Sequence, residues 1–327
     1  MNAQYSLLAA WAPVVAGMVT LVLTRLMLAS TIFTQIQDIP NARSLHDRPV
    51  PRVGGLALML GVLTAWQLLK DQAPSSLYVG VILLMLLSLL DDLRDVDARW
   101  RLIGHLLVAI SFVMIGMAPM PIFLALVLIF GLVWATNLYN FMDGANGLAG
   151  GMAVIGFSFY ALASGLANDI NFALMNLVVV GASLAFLVFN FGRARVFMGD
   201  AGSIPLGFLA AALGLLGWQR GLWPLWFPAV IFSSFVMDAT VTLFKRFMRG
   251  ERVWEAHREH YYQRLIQMGW SHRKTGLVEY GLMISSGVVA MLAIYISGLI
   301  ALVLLCSCLF VKVVLMRWVD KRWQRYV

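Results

Sequence analysis

Five polar segments in an otherwise apolar sequence carry residue types that could do chemistry. The most distinctive is the segment 137–147, whose polar members are Asn137, Asn140, Asp143 and Asn146. Amide and carboxylate oxygens are ligands that a hard cation such as Mg²⁺ takes, and amide groups also pair with the edge of a nucleobase. The same composition suits a turn, because Asn and Gly tolerate positive φ. The residues alone leave metal ligation, base recognition and a simple turn open.

A second segment, 91–101, begins with the adjacent carboxylates Asp91 and Asp92 and ends at Arg101. Like charges this close to a membrane boundary raise each other's pKa unless a cation is near. The pair could ligate a metal or act as a base on an incoming phosphate. The alternative is a solvated acidic helix start that the helix dipole favours.

A third set of candidates lies in the segment 191–202, where Asp200 stands between Gly199 and Gly202 and follows Phe197. A carboxylate at a helix N-terminus combines a cation ligand with free backbone N–H groups, which suits a metal-bound pyrophosphate. The competing interpretation is an ordinary N-cap.

Two further segments are basic. The segment 30–53 is stiffened by prolines and contains Arg48 and Arg52, which could hold an anionic headgroup or simply mark a cytoplasmic loop. Within 245–276, the run His257, Arg258 and His260 contains two imidazoles three residues apart, and many arginines lie near it in the sequence. A cationic clamp for phosphates fits this run better than zinc, because no cysteine is near.

Asp238 is a carboxylate near the inner end of a predicted span. An acid inside a membrane is a functional candidate by default. It could equally neutralise Lys245 or a neighbouring arginine.

The composition determines the class of protein that must position these segments. Hydrophobic residues make up 61% of the 327 residues, charged residues 12%, and the mean hydropathy is +0.83. These values are typical of an all-α polytopic membrane protein. We therefore interpret the net charge of +8 as a sign of topology and expect no nucleic-acid partner. Cys306 and Cys308 are two apart in one apolar segment and predict no disulfide.

Apolar runs long enough to span a bilayer predict about eleven transmembrane helices. The predicted spans are 6–29, 54–70, 75–90, 102–118, 120–136, 148–166, 171–190, 203–219, 223–244, 277–296 and 298–318.

Basic residues indicate the orientation of these spans. Twenty Lys and Arg residues fall in one set of alternate loops and the C-terminal tail, whereas the opposite loops hold only Lys70 and Arg220. Because basic residues favour cytoplasmic loops, the N-terminus is predicted outside and the C-terminus inside. All five polar segments then lie on the cytoplasmic face and predict a single active site there. We expect one integral membrane domain over 1–327.

In their order along the chain, the five segments resemble the polyprenyl-phosphate N-acetylhexosamine-1-phosphate transferase superfamily. The resemblance covers roughly 38–276. It rests on Arg-Ser-x-His with Pro-x-Pro-Arg-x-Gly-Gly, Asp-Asp-x-x-Asp, Asn-x-x-Asn-x-x-Asp-Gly-x-Asn-Gly, Phe-Met-Gly-Asp-x-Gly-Ser and His-Arg-x-His. This superfamily includes the phospho-MurNAc-pentapeptide translocase and the enzymes that initiate O-antigen synthesis. The spacing of the last motif is closer to the O-antigen-initiating branch.

The resemblance implies roles for individual residues. It implies that Asp200 and Asn140 ligate Mg²⁺, with Mn²⁺ as the alternative ion, and that Phe197 stacks on uracil. Asn146 or Asp143 would lie near the polar edge of that base.

The remaining roles concern phosphate. The resemblance implies that Asp91 and Asp92 position or deprotonate a lipid phosphate, with Arg101 in contact with it. His257, Arg258 and His260 would contact the nucleotide pyrophosphate.

The implied reaction transfers a sugar 1-phosphate from a UDP-N-acetyl sugar to undecaprenyl phosphate at the bacterial inner membrane. Asp91, Asp92 and Asp200 are the expected catalytic residues. The alternative function is a multi-span transporter or flippase of an anionic lipid-linked or nucleotide-sugar substrate, which would place its site near the membrane midplane. Small residues in the spans would also permit a homodimer.

Overall fold

The structure is a computed structural model that describes residues 8–31, 36–40, 45–69, 73–94, 96–255, 257–296 and 298–326. Arg43, Ser44, Asp95 and Ala256 of the polar segments lie outside the described residues. In chain order the elements are α1 (Ala12–Ala29), β1 (Gln37–Asp38), β2 (Val50–Pro51), α2 (Gly54–Trp66), α3 (Ser75–Arg94), α4 (Ala98–Gly116), α5 (Ile122–Phe141), α6 (Leu148–Leu166), α7 (Ile170–Asn190), α8 (Asp200–Gln219), α9 (Trp226–Ile231), α10 (Ser233–Met248), α11 (Tyr261–Gln267), α12 (His272–Tyr295) and α13 (Leu299–Trp323).

Nine of the described helices are long and apolar enough to cross a membrane, namely α1, α3 to α8, α12 and α13. The prediction of an all-α polytopic membrane protein is therefore confirmed. The other two predicted spans correspond to shorter helices: α2 has 13 residues, and the ninth span is divided into α9 and α10 at Phe232. The count of eleven spans and their orientation stay predictions.

Helix α8 lies at the centre of the bundle, whereas α13 lies at its edge. Within their most apolar 18-residue windows, 89% of α8 but only 6% of α13 is buried. Helix α8 packs against α3, α5 and α2, and it is apolar on all sides, as a fully surrounded helix must be. Because Asp200 is the first residue of α8, the candidate carboxylate is carried by the most enclosed helix.

Two glycines join the start of α2 to the start of α8. A Cβ atom built on Gly55 would lie 2.3 Å from the Cα of Gly202, so only glycine allows this backbone contact. The N–H of Gly55 donates to the carbonyl of Met198 at 2.9 Å, and the N–H of Gly54 donates to that of Phe197 at 3.0 Å. The first and fourth polar segments are thereby fixed against each other.

A two-residue antiparallel ladder folds the first polar segment back on itself. Gln37 pairs with Pro51, and Asp38 pairs with Val50. The pairing brings Asp38 beside Arg52, where Oδ1 lies 2.6 Å from Nη2. This arginine is thus held at the edge of the region where the other polar segments meet.

Candidate active site

Four of the five polar segments line one cavity of about 380 Å³, and the remaining segment, 91–101, is joined to the cavity edge through the contact of Arg101 with Asp200. Six of the residues singled out in the sequence line this cavity: Arg52, Asn140, Asp143, Asn146, Phe197 and Asp200. Five further polar residues line it, to which the sequence analysis gave no role of their own: Asp38, His46, Asn190, Tyr262 and Gln263. The cavity therefore joins acidic, basic, amide and aromatic groups in one place.

Asp200 is linked across the cavity edge to the second polar segment. Arg101 Nη1 donates to Asp91 Oδ2 at 2.6 Å and lies 3.4 Å from Asp200 Oδ2. The N–H of Val96 donates to the other oxygen of Asp91 at 2.8 Å. One arginine thus holds two carboxylates from different helices close together, and Asp91 is rigidly oriented.

Asp92 is the most enclosed of these carboxylates. Its side chain is 3% exposed, and Oδ1 lies 3.8 Å from Nη1 of Arg52. Within the described part of the chain, no hydrogen bond of ordinary geometry reaches Oδ2, although the backbone N–H of Ala201 is a donor that acts on this carboxyl. This oxygen faces Gly199, whose φ of 69° holds the turn into α8. A buried carboxylate oxygen without a donor is costly unless a cation or proton donor approaches it.

Asn140 is joined to the start of α8. Its Oδ1 accepts a hydrogen bond from Ser203 Oγ at 3.1 Å, and its side chain is also bonded to Asp200. Helix α5 ends one residue later, at Phe141, so Asn140 occupies the last turn with its amide directed at the α8 N-terminus.

These oxygen donors fit a hard divalent cation. Among the described residues, no group of three His, Cys, Asp or Glu side chains is placed to hold a metal. Mg²⁺, however, is commonly held by one or two carboxylates together with substrate phosphates. Asp200, Asn140 and the unpartnered oxygen of Asp92 provide that kind of incomplete donor set.

Asp143 follows α5 and lines the same cavity. Burial raises the pKa of its carboxyl well above the usual value, and the negative charge of Asp200 raises it further. The cavity end is thus rich in negative charge that Arg52 only partly offsets, so bound cations would be stabilised there.

Phe197 presents a ring to the cavity beside His46. Their ring centroids are 4.9 Å apart at an interplanar angle of 73°. The edge-to-face contact supports the phenyl ring and leaves room for a planar partner, and base stacking on such a ring is tolerant of sequence.

Asn146 connects three of the polar segments. Its Nδ2 donates to the carbonyl of Gly192 at 2.7 Å, and its backbone N–H donates to Nδ1 of His272 at 3.2 Å. The neighbouring N–H of Gly147, at φ 80°, donates to Oδ1 of Asn190 at 2.6 Å. The Asn-Gly turn is therefore braced on both sides.

Asn137 lies apart from the other residues of its segment. It is within α5, and its Nδ2 donates to the carbonyl of Val133 one turn earlier at 2.7 Å. It is not part of the described cavity lining. The predicted run 137–147 begins inside a helix. Asn137 lies on the same face of α5 as Asn140 but about one turn, ~4.5 Å, farther from the end of the helix where the cavity lies.

The histidines of the fifth segment are used within the protein. His260 is 3% exposed, its Nδ1 is 3.2 Å from Asp238 Oδ1, and its ring stacks between Phe141 and Tyr262. His257 packs beside it with ring centroids 4.8 Å apart. Neither ring is part of the described cavity lining.

His257 is held neutral at physiological pH. Burial lowers the pKa of its imidazole to about 4, and the positive charges of His260 and Arg246 act in the same direction. Its Nδ1 accepts a hydrogen bond from the N–H of Glu259 at 3.2 Å. This histidine thus differs from the cationic clamp that the sequence suggested.

Arg258 and Arg48 do face a cavity. They lie on an adjoining cavity of about 690 Å³, with Arg193 and His272 on the same wall. This second cavity shares His46, Asn146 and Phe197 with the first. Its surplus of cationic groups suits an anionic portion of a ligand that extends beyond the acidic end.

Asp238 caps the short helix α11. Its two carboxylate oxygens accept hydrogen bonds from the N–H groups of Tyr261 at 2.9 Å and Tyr262 at 3.1 Å. It also accepts from Thr242 at 3.2 Å. The acid is therefore a positioning group for α11; Lys245 is paired with Asp320 instead, at 2.5 Å.

Helix α11 is held from its other side by α13. Asp320 Oδ1 accepts from Arg264 Nη1 at 3.0 Å, while Oδ2 accepts from the hydroxyl of Tyr261 at 3.2 Å. Tyr262 then donates to the carbonyl of Phe141 at 3.0 Å and accepts from the N–H of Gly144 at 3.1 Å. This chain of contacts fixes one wall of the first cavity.

Comparison with known proteins identifies relatives of the part of the chain that carries much of this site. A family model described as glycosyl transferase family 4 matches residues 75–217, from the start of α3 into the last turn of α8. Over 286 residues the chain is 30% identical to the probable undecaprenyl-phosphate N-acetylglucosaminyl 1-phosphate transferase of Bacillus subtilis (strain 168), covering 82% of this chain and 80% of that one.

Two further relatives cover similar lengths. The chain is 30% identical over 281 residues to the phospho-N-acetylmuramoyl-pentapeptide-transferase of Halalkalibacterium halodurans, covering 75% of this chain and 83% of the relative. It is 26% identical over 306 residues to the undecaprenyl-phosphate alpha-N-acetylglucosaminyl 1-phosphate transferase of Escherichia coli (strain K12), covering 84% and 81%. The Bacillus subtilis relative is 30% identical and is matched over most of both chains. The protein therefore belongs to glycosyl transferase family 4.

Proposed function

We propose that the protein transfers a sugar 1-phosphate of the N-acetylhexosamine type from a UDP-sugar to undecaprenyl phosphate, giving a lipid-pyrophosphate-sugar and UMP. The observation that carries this proposal is the joining of Asp91, Arg101 and Asp200 at the edge of a cavity that also holds an aromatic ring. Relatives named as transferases of N-acetylglucosamine 1-phosphate to a polyprenyl phosphate support it.

The chemistry asks the protein mainly to bring two anions together. An oxygen of the lipid phosphate attacks the β-phosphorus of the UDP-sugar, and the bond from that phosphorus to the bridging oxygen breaks, so that UMP leaves with the electron pair. A lipid phosphate is already anionic near neutral pH, so positioning and charge stabilisation dominate. Arg101 and Arg52 are placed to screen the repulsion between the two phosphates.

Asp91 and Asp92 have different tasks in this proposal. Asp91 is tied to Arg101 and to the backbone, so it fixes the direction in which that guanidinium points. Asp92 keeps one buried oxygen without a partner and is the better placed of the two to accept a proton from the incoming lipid phosphate. Both lie at the end of α3, next to the N-terminus of α8.

Asp200 and Asn140 would hold a divalent cation, Mg²⁺ or Mn²⁺, with Asp92 or Asp143 beside them. When bound, such an ion would neutralise charge on the pyrophosphate and on the leaving UMP. The protein's own contribution is the fixed spacing of these oxygens, which the Ser203 hydroxyl supports through Asn140. Phe197 would stack on uracil, and the braced turn at Asn146 would meet the edge of the base.

We favour direct attack over a double displacement. Arg101 contacts both Asp91 and Asp200, so neither carboxylate is free of a cationic partner as an attacking nucleophile would be. A covalent phospho-sugar intermediate trapped on an aspartate would contradict direct attack. In the cell we expect the site to face the cytoplasm at the inner membrane. The transfer would initiate the synthesis of O-antigen or a related envelope polysaccharide.

The test is UMP release by the detergent-purified protein supplied with undecaprenyl phosphate, Mg²⁺ and a panel of UDP-N-acetyl sugars. We expect release only when lipid, metal and one sugar are all present, and its loss in Asp200→Asn. Asp169→Asn is the matched control, because that carboxylate pairs with Arg220 at 2.9 Å beside the N-terminus of α7. A folded protein that is silent across the panel would contradict the proposal and favour a transporter.

A further inference from the structure

A third cavity, of about 320 Å³, lies away from the candidate active site, between α10, α11, α12 and α13. Most of its wall is apolar, but Glu279, Lys312 and Ser234 also line it. Charged groups at this depth in a membrane protein need partners. None of the three has a part in the proposed transfer reaction.

Lys312 is only partly satisfied by the protein. Its side chain is 4% exposed, and its ammonium donates to Ser286 Oγ at 2.6 Å and to Ser233 Oγ. Both acceptors are neutral hydroxyls. Among the described residues no carboxylate lies within 4.0 Å of the ammonium. The charge of Glu279, on the same cavity, acts on it from a longer distance, and a third N–H can be directed at a ligand.

Glu279 and Ser234 lie on the same cavity, and among the described residues neither has a hydrogen-bond partner; the charge of Lys312 acts on Glu279 from a longer distance. Ser234 is 7% exposed, and its hydroxyl has no hydrogen-bond partner in the part of the chain that the structure describes. Glu279 takes part in none of the hydrogen bonds or ion pairs found among those residues. A buried hydroxyl and a carboxylate left unpaired beside an empty volume are what a polar ligand would satisfy.

The cavity opens sideways, towards the membrane. Its rim includes Val278, Val314 and Leu315, which are exposed apolar residues on membrane-spanning helices. Trp270 and Trp318 lie on the same rim with ring centroids 6.3 Å apart. Tryptophans mark the headgroup level of a bilayer, so an occupant would be a lipid that enters from the side.

The order of the charges along the helices indicates the headgroup. Glu279 is seven residues from the start of α12, and Ser286, the partner of Lys312, is two turns further along. The cation is therefore deeper, and the carboxylate is closer to the end where the polar segments meet. A phospholipid places its phosphate next to the glycerol and a terminal amine farther out, which matches this order.

We propose that this cavity binds an aminophospholipid, with its phosphate on Lys312 and its primary ammonium on Glu279. The acyl chains would lie along the exposed apolar surface of α13. Asp238 and Tyr261 line the inner wall of the same cavity, so the lipid would contact the residues that hold α11 in place. This inference concerns a separate site and does not depend on the proposed transfer reaction.

The test is lipid retention by the full-length, detergent-purified protein in native mass spectrometry. Phosphatidylethanolamine, phosphatidylcholine and phosphatidylglycerol of identical acyl chains serve as the probes. Choline has no N–H to donate to a carboxylate, and glycerol carries no positive charge. We expect phosphatidylethanolamine to be retained about tenfold more strongly than either, as the loss of one charged hydrogen bond implies.

Two variants assign the effect to the cavity. Glu279→Gln should abolish the preference for ethanolamine over choline, and Ser234→Ala should weaken the retention of phosphatidylethanolamine. Glu255→Gln is the matched control, because that glutamate is an exposed partner of Arg252 and should leave retention unchanged. Equal retention of the three lipids by the unaltered protein would overturn the proposal, as would an undiminished preference in a folded Glu279→Gln. Because the readout is bound lipid, it stays informative if no transferase activity is found.

Discussion

The predicted site has two parts, which differ in where their polar atoms point: an acidic half, formed by the carboxylates and amides of the segments 91–101, 137–147 and 191–202 with Arg52, and a histidine half, formed by His257 and His260. Asp200, Asn140 and Arg52 line the cavity and leave oxygens or N–H groups directed into it. His257 and His260 instead pack against each other, and their ring nitrogens are engaged within the protein: Nδ1 of His260 by Asp238, and Nδ1 of His257 by a backbone N–H. The difference teaches that the first half is built to meet a ligand and the second is built to hold a helix.

The reason lies in the elements that carry them. The acidic residues lie at the ends of α3, α5 and α8, which pack together and so hold these side chains in place without further polar contacts from a flexible segment. The histidines lie in a segment without regular structure before the seven-residue α11. Such a short helix has little stability alone and needs its neighbours' polar groups to hold it.

The sharpest test of this comparison is Asp92→Asn. If the unpartnered oxygen of Asp92 acts on the lipid phosphate, turnover should fall by about 10² to 10³ while the fold is kept. The measurement is kcat for UMP release, with the melting temperature as a check on folding. A kcat within about threefold of the unaltered protein would assign the role to Asp91 instead.

Gly202→Ala tests the backbone contact that joins two polar segments. A Cβ at this position would lie 2.4 Å from the Cα of Gly55, and neither backbone can move without opening the cavity wall. We expect a loss of about 3 kcal/mol or more in the free energy of unfolding, together with loss of activity. Gly281→Ala in α12 is the control, since its Cβ would meet nothing within 4 Å. Equal stability of the two variants would contradict the tight contact.

Tyr262→Phe tests whether α11 acts on the cavity through its position. The change removes the hydroxyl that accepts from Gly144 and donates to Phe141, and so leaves two backbone groups unpaired. We expect the KM for the UDP-sugar to rise by about tenfold, with a smaller effect on kcat. Tyr326→Phe, at an exposed ring, serves as the control. A pure kcat effect would show that the hydroxyl takes part in the reaction itself.

His257 gives the smallest expected effect, in the dependence of stability on pH. Its folded-state pKa of about 4 is below the usual 6.5, so the unfolded chain binds the extra proton first as the pH falls. The stabilising contribution is complete above about pH 6.5 and is lost between there and about pH 4. Because the ring is partly exposed, we expect a change on the order of 1 kcal/mol or less.

The measurement for this prediction is thermal unfolding at pH 7 and pH 5. His257→Gln should lose less stability on acidification than the unaltered protein. An identical pH dependence in both proteins would show that the imidazole is not held neutral by its surroundings.

The sequence allowed the fold class and most of the acidic half to be predicted. Apolar runs identify spans directly, and the membrane confines unusual polar residues such as Asp200 and Asn140 to their ends. The order of the segments along the chain indicated the family, and the resemblance then implied the roles of individual residues. The comparison with relatives confirms the family, while the roles of individual residues stay predictions.

What the sequence could not provide were contacts that depend on three-dimensional neighbours. Asn137 belongs to the same Asn-rich run, but it lies one helical turn deeper in α5 than Asn140, and its amide is hydrogen-bonded within the helix. Tyr262 and Asp38 reach the cavity through a capped helix and a two-residue ladder, which leave almost no pattern. A Tyr-Tyr pair directly after the histidines was the one available sign of Tyr262.

The ion pairs of Asp320 with Lys245 and Arg264 also affect the order in which the protein is assembled during synthesis. Helix α13 emerges from the ribosome after every other described helix, and it is the partner that holds α11 from the far side. The wall containing Tyr262 thus reaches its final form only after α13 has entered the membrane. A chain interrupted before that point would carry its acidic residues on formed helices and still lack a complete cavity.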